Sequence, residues 1–329
     1  MKAITYDRFG PAEDVLTLSD IPTPSPAAGE VSVRLAFSGV NPSDIKARAG
    51  SRPGITKPPF PQVVPDSDGA GTIEAVGDGV DPARVGERVW IWNGQWQRAF
   101  GTAATHITLP SEQAVLLPEG IALEAGAVLG IPGLTATEAV FGAGDVEGQT
   151  LLVSGGGGTV GYLAVQLAKW GGAKVIATAS ARDFDRVRAA GAQTVLDYRS
   201  DTLAEDILAA NGDAPVDRVV EVEFGVNAGV CADVIKPNGV IAAYGSQIDM
   251  TPTVPFGPLL FKAATIDIIL IYLLPLAQRQ ERIARLHRAL QDGALVCPVE
   301  QTFALKDCAA AHNAVQQGKR EGAILLDCA

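Results

Sequence analysis

Residues Leu151-Leu152-Val153-Ser154 form a short apolar run that drops into Gly155-Gly156-Gly157-Gly158-Thr159-Val160-Gly161 and then into a helical pattern from Tyr162 to Lys169. Within the turn, Gly156, Gly158 and Gly161 have the G-x-G-x-x-G spacing of a dinucleotide fingerprint. Such glycines allow a tight turn, close approach to a pyrophosphate, and close packing of helix on strand. The amides that open the helix, at Thr159 and Val160, then face the phosphates. Four consecutive glycines also suit a flexible loop. The strand before, the helix after and a second apolar strand, Lys174 to Ala179, point instead to a nucleotide site.

Outward from that turn the rhythm is regular. Further strands are expected at Thr194–Leu196, Asp217–Val222, Gly239–Tyr244 and Thr265–Leu270, with helices at Asp183–Ala190, Leu203–Ala210 and Val226–Ile235 between them. Helices alternating with short apolar strands imply a parallel sheet covered on both faces, the doubly wound α/β architecture. The first 120 residues read differently. Val31–Phe37, Gly71–Val76 and Val89–Trp92 alternate or run apolar, and Gly77, Gly79, Pro82 and Gly86 punctuate them. That pattern predicts a β-rich, partly closed domain. Beyond Ile271 come an amphipathic helix near Leu276–Gln291, a strand near Leu295–Phe303, a helix near Leu305–Gln317 and a last strand at Ala323–Asp327. These exceed what one nucleotide-binding sheet needs, so they are expected to return to the first domain.

Size and composition set the outer bounds. The chain has 329 residues, enough for two cores, and its 47% apolar content with 36 glycines fits compact domains rich in turns. A formal charge of −11 disfavours nucleic acid and anionic membranes as partners. Met1 leads directly into strand-like Ala3-Ile4-Thr5-Tyr6, which predicts no signal peptide. The greasiest stretch, Ala263 to Ala277, is broken by Asp267 and Pro275 and reads as a buried strand plus connection. Cys231, Cys297, Cys308 and Cys328 form no close pair, as expected of a reduced cytoplasmic protein rather than of a structural zinc site.

A string of motifs in order carries a family resemblance. It runs through Gly39-Val40-Asn41-Pro42-Ser43-Asp44, Pro65-Asp66-Ser67-Asp68-Gly69-Ala70-Gly71, Gly86-Glu87-Arg88-Val89, Pro132-Gly133-Leu134-Thr135-Ala136, the glycine turn, Asp197-Tyr198-Arg199, Gly245-Ser246 and Ala311-His312. With these the whole chain resembles the medium-chain dehydrogenase/reductase superfamily, in its zinc-free, zeta-crystallin-like quinone oxidoreductase branch. The resemblance implies a Rossmann-type doubly wound parallel sheet inserted in a β-rich GroES-like catalytic domain. It places the catalytic domain at 1–124 with a return at 272–329, the NADP-binding domain at 125–271, and the nicotinamide in the cleft between them. It also implies a homodimer or homotetramer joined through the last cofactor-domain strand, here Ile266 to Leu270.

Cofactor choice can be read from residue types. An NAD site usually carries an acid about twenty residues past the first fingerprint glycine, where it accepts from the adenosine ribose. Here that region, Ile176 to Ser180, holds no acid but offers Thr178 and Ser180, followed by Arg182. A hydroxyl and a guanidinium suit a 2′-phosphate. In the resembling enzymes the residue matching Tyr198 lines that phosphate pocket, so NADPH is expected. Alternatively Arg182 is a surface residue and Asp183 a helix cap.

The chemistry follows from what is missing. Zinc members of the superfamily use a cysteine where this chain has Asn41, and a Gly-His-Glu motif where it has Pro65-Asp66-Ser67-Asp68. No cysteine precedes Cys231, so a soft-ligand zinc site is not expected. His106 and His287 read as surface or packing residues, and His312 as structural. A hydride donor with few proton donors suits an electrophile that is already activated, such as a quinone or a conjugated carbonyl. The resemblance gives Asn41, Thr135 and Ser246 to the nicotinamide side, and Asp44 reads as an organiser of the Asn41 loop. Lys46 stands where the branch often has a tyrosine, and Trp92, Trp96 and Phe100 offer another aromatic surface. An NADPH-dependent quinone reductase is therefore expected. An enone or enal reductase and a non-catalytic NADPH-binding structural or regulatory protein remain as alternatives.

Overall fold

A computed structural model describes residues 1–51 and 54–329. Its strands in chain order are β1 (Lys2–Thr5), β2 (Thr17–Asp20), β3 (Glu30–Val40), β4 (Asp68–Val76), β5 (Arg88–Ile91), β6 (His106–Pro110) and β7 (Ala114–Leu116). There follow β8 (Thr150–Val153), β9 (Lys174–Ala179), β10 (Thr194–Asp197), β11 (Val216–Glu221), β12 (Ile235–Ala243), β13 (Thr265–Ile268), β14 (Val299–Ala304) and β15 (Ala323–Asp327). Packing divides the chain into Met1–Ile131 with Cys297–Ala329, and Pro132–Val296.

The first unit is the β-rich one. β3 is its spine: its first half pairs antiparallel with β6, its last residues pair with β15, and β4 lines the opposite side. The strand needs both a break in register and small residues to serve three partners. Its pairing with β4 slips between Leu35 and Phe37, and a Cβ on the facing Gly71 would lie 2.0 Å from the Arg34 carbonyl oxygen. Alternation puts Val31, Val33, Leu35, Ile73, Val89 and Ile107 into one core, joined by Cys308 and Ala311 of helix Cys308–Gln317. The two chain ends thus share a single hydrophobic interior.

The second unit carries a six-stranded parallel sheet ordered β10-β9-β8-β11-β12-β13. Numbered within the sheet this is 3-2-1-4-5-6, the Rossmann order, with the chain reversing direction across the sheet between β8 and β11. Each of the six overlaps an expected strand, although β12 begins at Ile235, four residues before the expected Gly239.

The boundaries lie elsewhere than expected, at 131/132 and 296/297 rather than at 124/125 and 271/272. Helix Leu276–Gln291 belongs to the second unit because Arg282 Nε donates to Glu138 Oε2 at 2.6 Å, both side chains being buried, and Arg285 lies 4.9 Å over the Phe141 ring. Helix Leu123–Gly126 stays with the first unit, where Gly126 packs against Ala70 and Leu117. Among the described residues no helix is long and apolar enough to cross a membrane.

Candidate active site

In the first unit the candidate residues gather where β3 ends. Asn41 is the N-cap position of helix Pro42–Ala49, and Pro42 opens that helix with a backbone angle already suited to it. Asp44, in the first turn, accepts the Asn41 amide proton at 2.8 Å. The loop is thereby locked, and both side chains are buried. The Asn41 side chain has one further partner that spacing did not reveal. Its Nδ2 donates to Asp68 Oδ2 at 2.9 Å and, more weakly, to the Gly39 carbonyl at 3.5 Å. The Asn41 side chain is thus oriented from inside the protein, chiefly by Asp68.

Asp68 is the first residue of β4 and fully buried. Its Oδ2 also receives the Ile131 amide at 2.9 Å, whereas Oδ1 has no partner among the described residues. Burial dominates over these two donors and pushes its pKa up to about 8. Beside it, Asp66 holds a left-handed backbone (φ 71°), accepts from His312 Nε2 at 3.1 Å and is approached by Ser38 Oγ at 3.4 Å. His312 is completely buried, in keeping with a structural role. Lys46 is partly exposed on helix Pro42–Ala49, and the aromatic segment divides. Trp92 is buried and donates to the Glu112 carbonyl, while Phe100 is exposed.

In the second unit the glycine turn is shaped as a phosphate loop. Gly155 has φ 70°, and a Cβ on Gly161 would lie 2.2 Å from the Gly155 carbonyl oxygen, so helix Thr159–Trp170 seats directly over the end of β8. The Gly156 amide donates to the Thr178 carbonyl and the Gly155 amide to Thr178 Oγ1. Thr178 therefore holds the turn and is not a free ligand. The first amides of the helix, from Thr159 and Val160 onward, have no intrahelical acceptor.

The end of β9 departs from the sequence expectation of a corner without an acid. Asp183 follows in a 3-10 turn, Ala181–Asp183, that folds its carboxylate back toward the strand end. Ser180 Oγ donates to Asp183 Oδ2 at 2.7 Å, and Arg182 Nε stands 3.4 Å from the same oxygen. Asp183 does occupy a helix N-cap position, but its side chain caps nothing. Tyr198 directly follows β10, whose Asp197 is level with Ala179, so Tyr198 emerges beside Ser180. It is half exposed, with the Arg199 guanidinium 5.3 Å from its ring centroid.

Two further acids line the ends of the central strands. Glu221, buried at the end of β11, accepts from Ser154 Oγ, Asn227 Nδ2 and the Glu223 amide, and burial raises its pKa. Glu223 accepts the Gln247 and Ile248 amides. Ser246 is occupied in the same loop: its hydroxyl accepts from the Gly225 amide and donates to the Asp249 carbonyl. Thr135 is buried in the first turn of helix Leu134–Phe141. The only signal for Glu221 in the sequence is an acid inside an otherwise apolar strand.

The raised Asp68 pKa has a measurable sign. The folded chain keeps this proton up to about pH 8, whereas an unfolded aspartate releases it near pH 4. The stability this proton contributes is complete at low pH and is lost as pH rises through about 8. Relative to Asp68→Asn, the wild-type protein should lose stability between about pH 4 and pH 8, by up to about 5 kcal/mol. Denaturant titrations of both proteins across that range check this, and parallel curves would show an Asp68 that ionises freely.

Comparison with known proteins places this geometry. Residues 27–119 match the alcohol dehydrogenase GroES-like domain family and residues 159–289 the zinc-binding dehydrogenase family. A quinone oxidoreductase of Rattus norvegicus is 31% identical over 258 residues, 77% of this chain and 76% of that protein. Among solved structures, Escherichia coli quinone oxidoreductase complexed with NADPH superposes with a TM-score of 0.86 at 25% identity, covering 99% of this chain and 100% of that one. An NAD-dependent alcohol dehydrogenase superposes with a TM-score of 0.87 at 26% identity, covering 99% of both chains. The matched domains, the Rossmann strand order and the glycine turn agree with one another, and the chain belongs to the quinone oxidoreductase family of the medium-chain dehydrogenase/reductase superfamily, a family of nicotinamide-dependent oxidoreductases.

Proposed function

We propose that this protein is an NADPH-dependent quinone reductase that passes the nicotinamide hydride directly to a small-molecule quinone without zinc. The observation that carries this reading is the state of Asn41. Where zinc members of the superfamily present a cysteine, this chain presents an amide already bound to Asp68. Asp68 is fully buried, and its Oδ2 is already taken by the Ile131 amide and by Asn41. Asp66, Cys308 and His312 bring one donor atom each within 4.8 Å of one another, but all three are buried and Asp66 is engaged by His312 and Ser38. The donor set at the Asn41 position does not fit zinc.

Bound dihydronicotinamide supplies a hydride, and the residues of the chain determine what can receive it. With no Lewis acid, the acceptor must be electrophilic beforehand. A quinone qualifies, because two electrons make it aromatic and its oxygens take protons from water. Asn41, held by Asp68, would place its amide against the carboxamide of the nicotinamide. Asp44 fixes the loop. In the second unit, Gly156, Gly158, Thr159, Val160 and Gly161 would hold the pyrophosphate, Thr135 would pack by the nicotinamide, and Ser246 would shape the adjoining loop. Oxidation of NADPH over a panel of electrophiles, with product analysis, tests the assignment. Hydroquinone from quinone is the expected product. A saturated carbonyl from an enone, with quinones inert, would assign the alternative double-bond reductase, and alcohol from a saturated aldehyde would overturn both.

The 2′-phosphate falls to Ser180, Arg182 and Tyr198. The half-exposed Arg182 is a cation at the end of β9, and the relative solved with NADPH supports the same cofactor. Arg182→Ala should weaken NADPH binding by about 1.5–3 kcal/mol and barely change NADH. The loss should shrink with added salt because the pair faces solvent. Equal losses for the two cofactors, measured by titration at two ionic strengths, would return Arg182 to the surface.

The open edge of the Rossmann sheet is the proposed homodimer seam. β13 pairs only with β12 among the described residues, and Ile268 and Phe261 beside it are 78% and 90% exposed. With Phe256, Leu260 and Leu270 they form an apolar surface that a second copy would cover. Ile268→Glu should convert a sedimenting dimer into a monomer, and a monomeric wild-type protein would contradict the assignment.

A further inference from the structure

The Asp183 carboxylate lies against the phosphate loop itself. A Cβ on Gly157 would come within 2.9 Å of Asp183 Cγ and Oδ2, so only a glycine at that place lets the acid pack so close. The side chain is more than nine-tenths buried. Oδ2 is served by Ser180 Oγ and Arg182 Nε, whereas Oδ1 has no donor among the described residues. A buried acceptor without a donor is costly, and folded proteins rarely leave one. Asp197, level with Ala179, is the other acid at this corner, and its carboxylate is taken up by Arg199. Arg186 donates to the Gly157 carbonyl and lies 4.4 Å over the Tyr162 ring, and Tyr198 emerges beside Ser180.

Reading the second unit as a dinucleotide site, as above, puts the adenosine ribose just beyond the glycine turn, at the end of β9. A free ribose hydroxyl is a donor and can satisfy a carboxylate oxygen. A 2′-phosphate offers only acceptors and negative charge, and it needs Arg182 instead. We propose that Asp183 accepts the adenosine 2′-hydroxyl of NADH, so that the protein uses NADH as well as NADPH. One corner then serves both cofactors: Asp183 takes the hydroxyl, and Arg182 leaves Asp183 for the phosphate. The acid is displaced from the count that usually finds it because it reaches back from the 3-10 turn rather than sitting on the strand.

The test is calorimetric titration of wild type and Asp183→Asn with NADH and NADPH, together with NADH lacking the adenosine 2′-hydroxyl on wild type. Wild type should bind both natural cofactors. Asp183→Asn should weaken NADH about tenfold or more and leave NADPH equal or tighter, the scale of one charge-assisted hydrogen bond. The 2′-deoxy analogue should bind wild type about tenfold more weakly than NADH, a result that does not depend on how the variant folds. An unchanged cofactor ratio in Asp183→Asn, or equal binding of NADH and its deoxy analogue, overturns the assignment alone. Binding of neither natural cofactor overturns the dinucleotide reading and this inference with it.

Discussion

A helix can start directly over the end of a buried strand only if the turn between them carries no side chains. That constraint organises the second unit. A Cβ on Gly161 would stand 2.2 Å from the Gly155 carbonyl oxygen, and Gly156 is held between Ala177 and Val187. With the turn closed this tightly, helix Thr159–Trp170 lies along the sheet and its first amides point out past the ends of β8 and β9. The parallel order of the strands brings the other candidate segments to the same edge: Asp183 after β9, Tyr198 after β10, Glu221 at the end of β11.

The first unit solves a related problem with carboxylates instead of glycines. Asn41 sits at the junction of β3 and a helix, a position where an amide side chain would otherwise be free to rotate. Asp44 fixes its backbone and Asp68 fixes its side chain. Holding a buried acid in its neutral form is expensive for a catalytic group that must ionise, but it suits one that only has to orient a neighbour. Asp66 likewise orients a neighbour, meeting the buried His312 in the interior of the unit.

Much of this was legible from residue order. Alternation located every strand of the parallel sheet, and the spacing of Gly156, Gly158 and Gly161 located the turn. Pairings between distant residues were not legible. Nothing in the chain near Asn41 announces Asp68, which becomes its partner only because β3 and β4 pair with Gly39 opposite Asp68. Asp183 was passed over for a geometric reason: counting along the sequence assumes a straight strand end, and a 3-10 turn brings a residue further on back to the same corner. The second domain boundary was misplaced because the Arg282–Glu138 ion pair, which ties helix Leu276–Gln291 to the second unit, joins residues 144 apart.

The central claim is that hydride transfer here needs no metal. The most direct measurement is a single turnover of metal-stripped protein loaded with NADPH deuterated at C4 and mixed with a quinone. The account predicts that stripped protein oxidises the cofactor as fast as untreated protein, with a primary isotope effect. Loss of the reaction on stripping, with recovery on adding zinc, would contradict it.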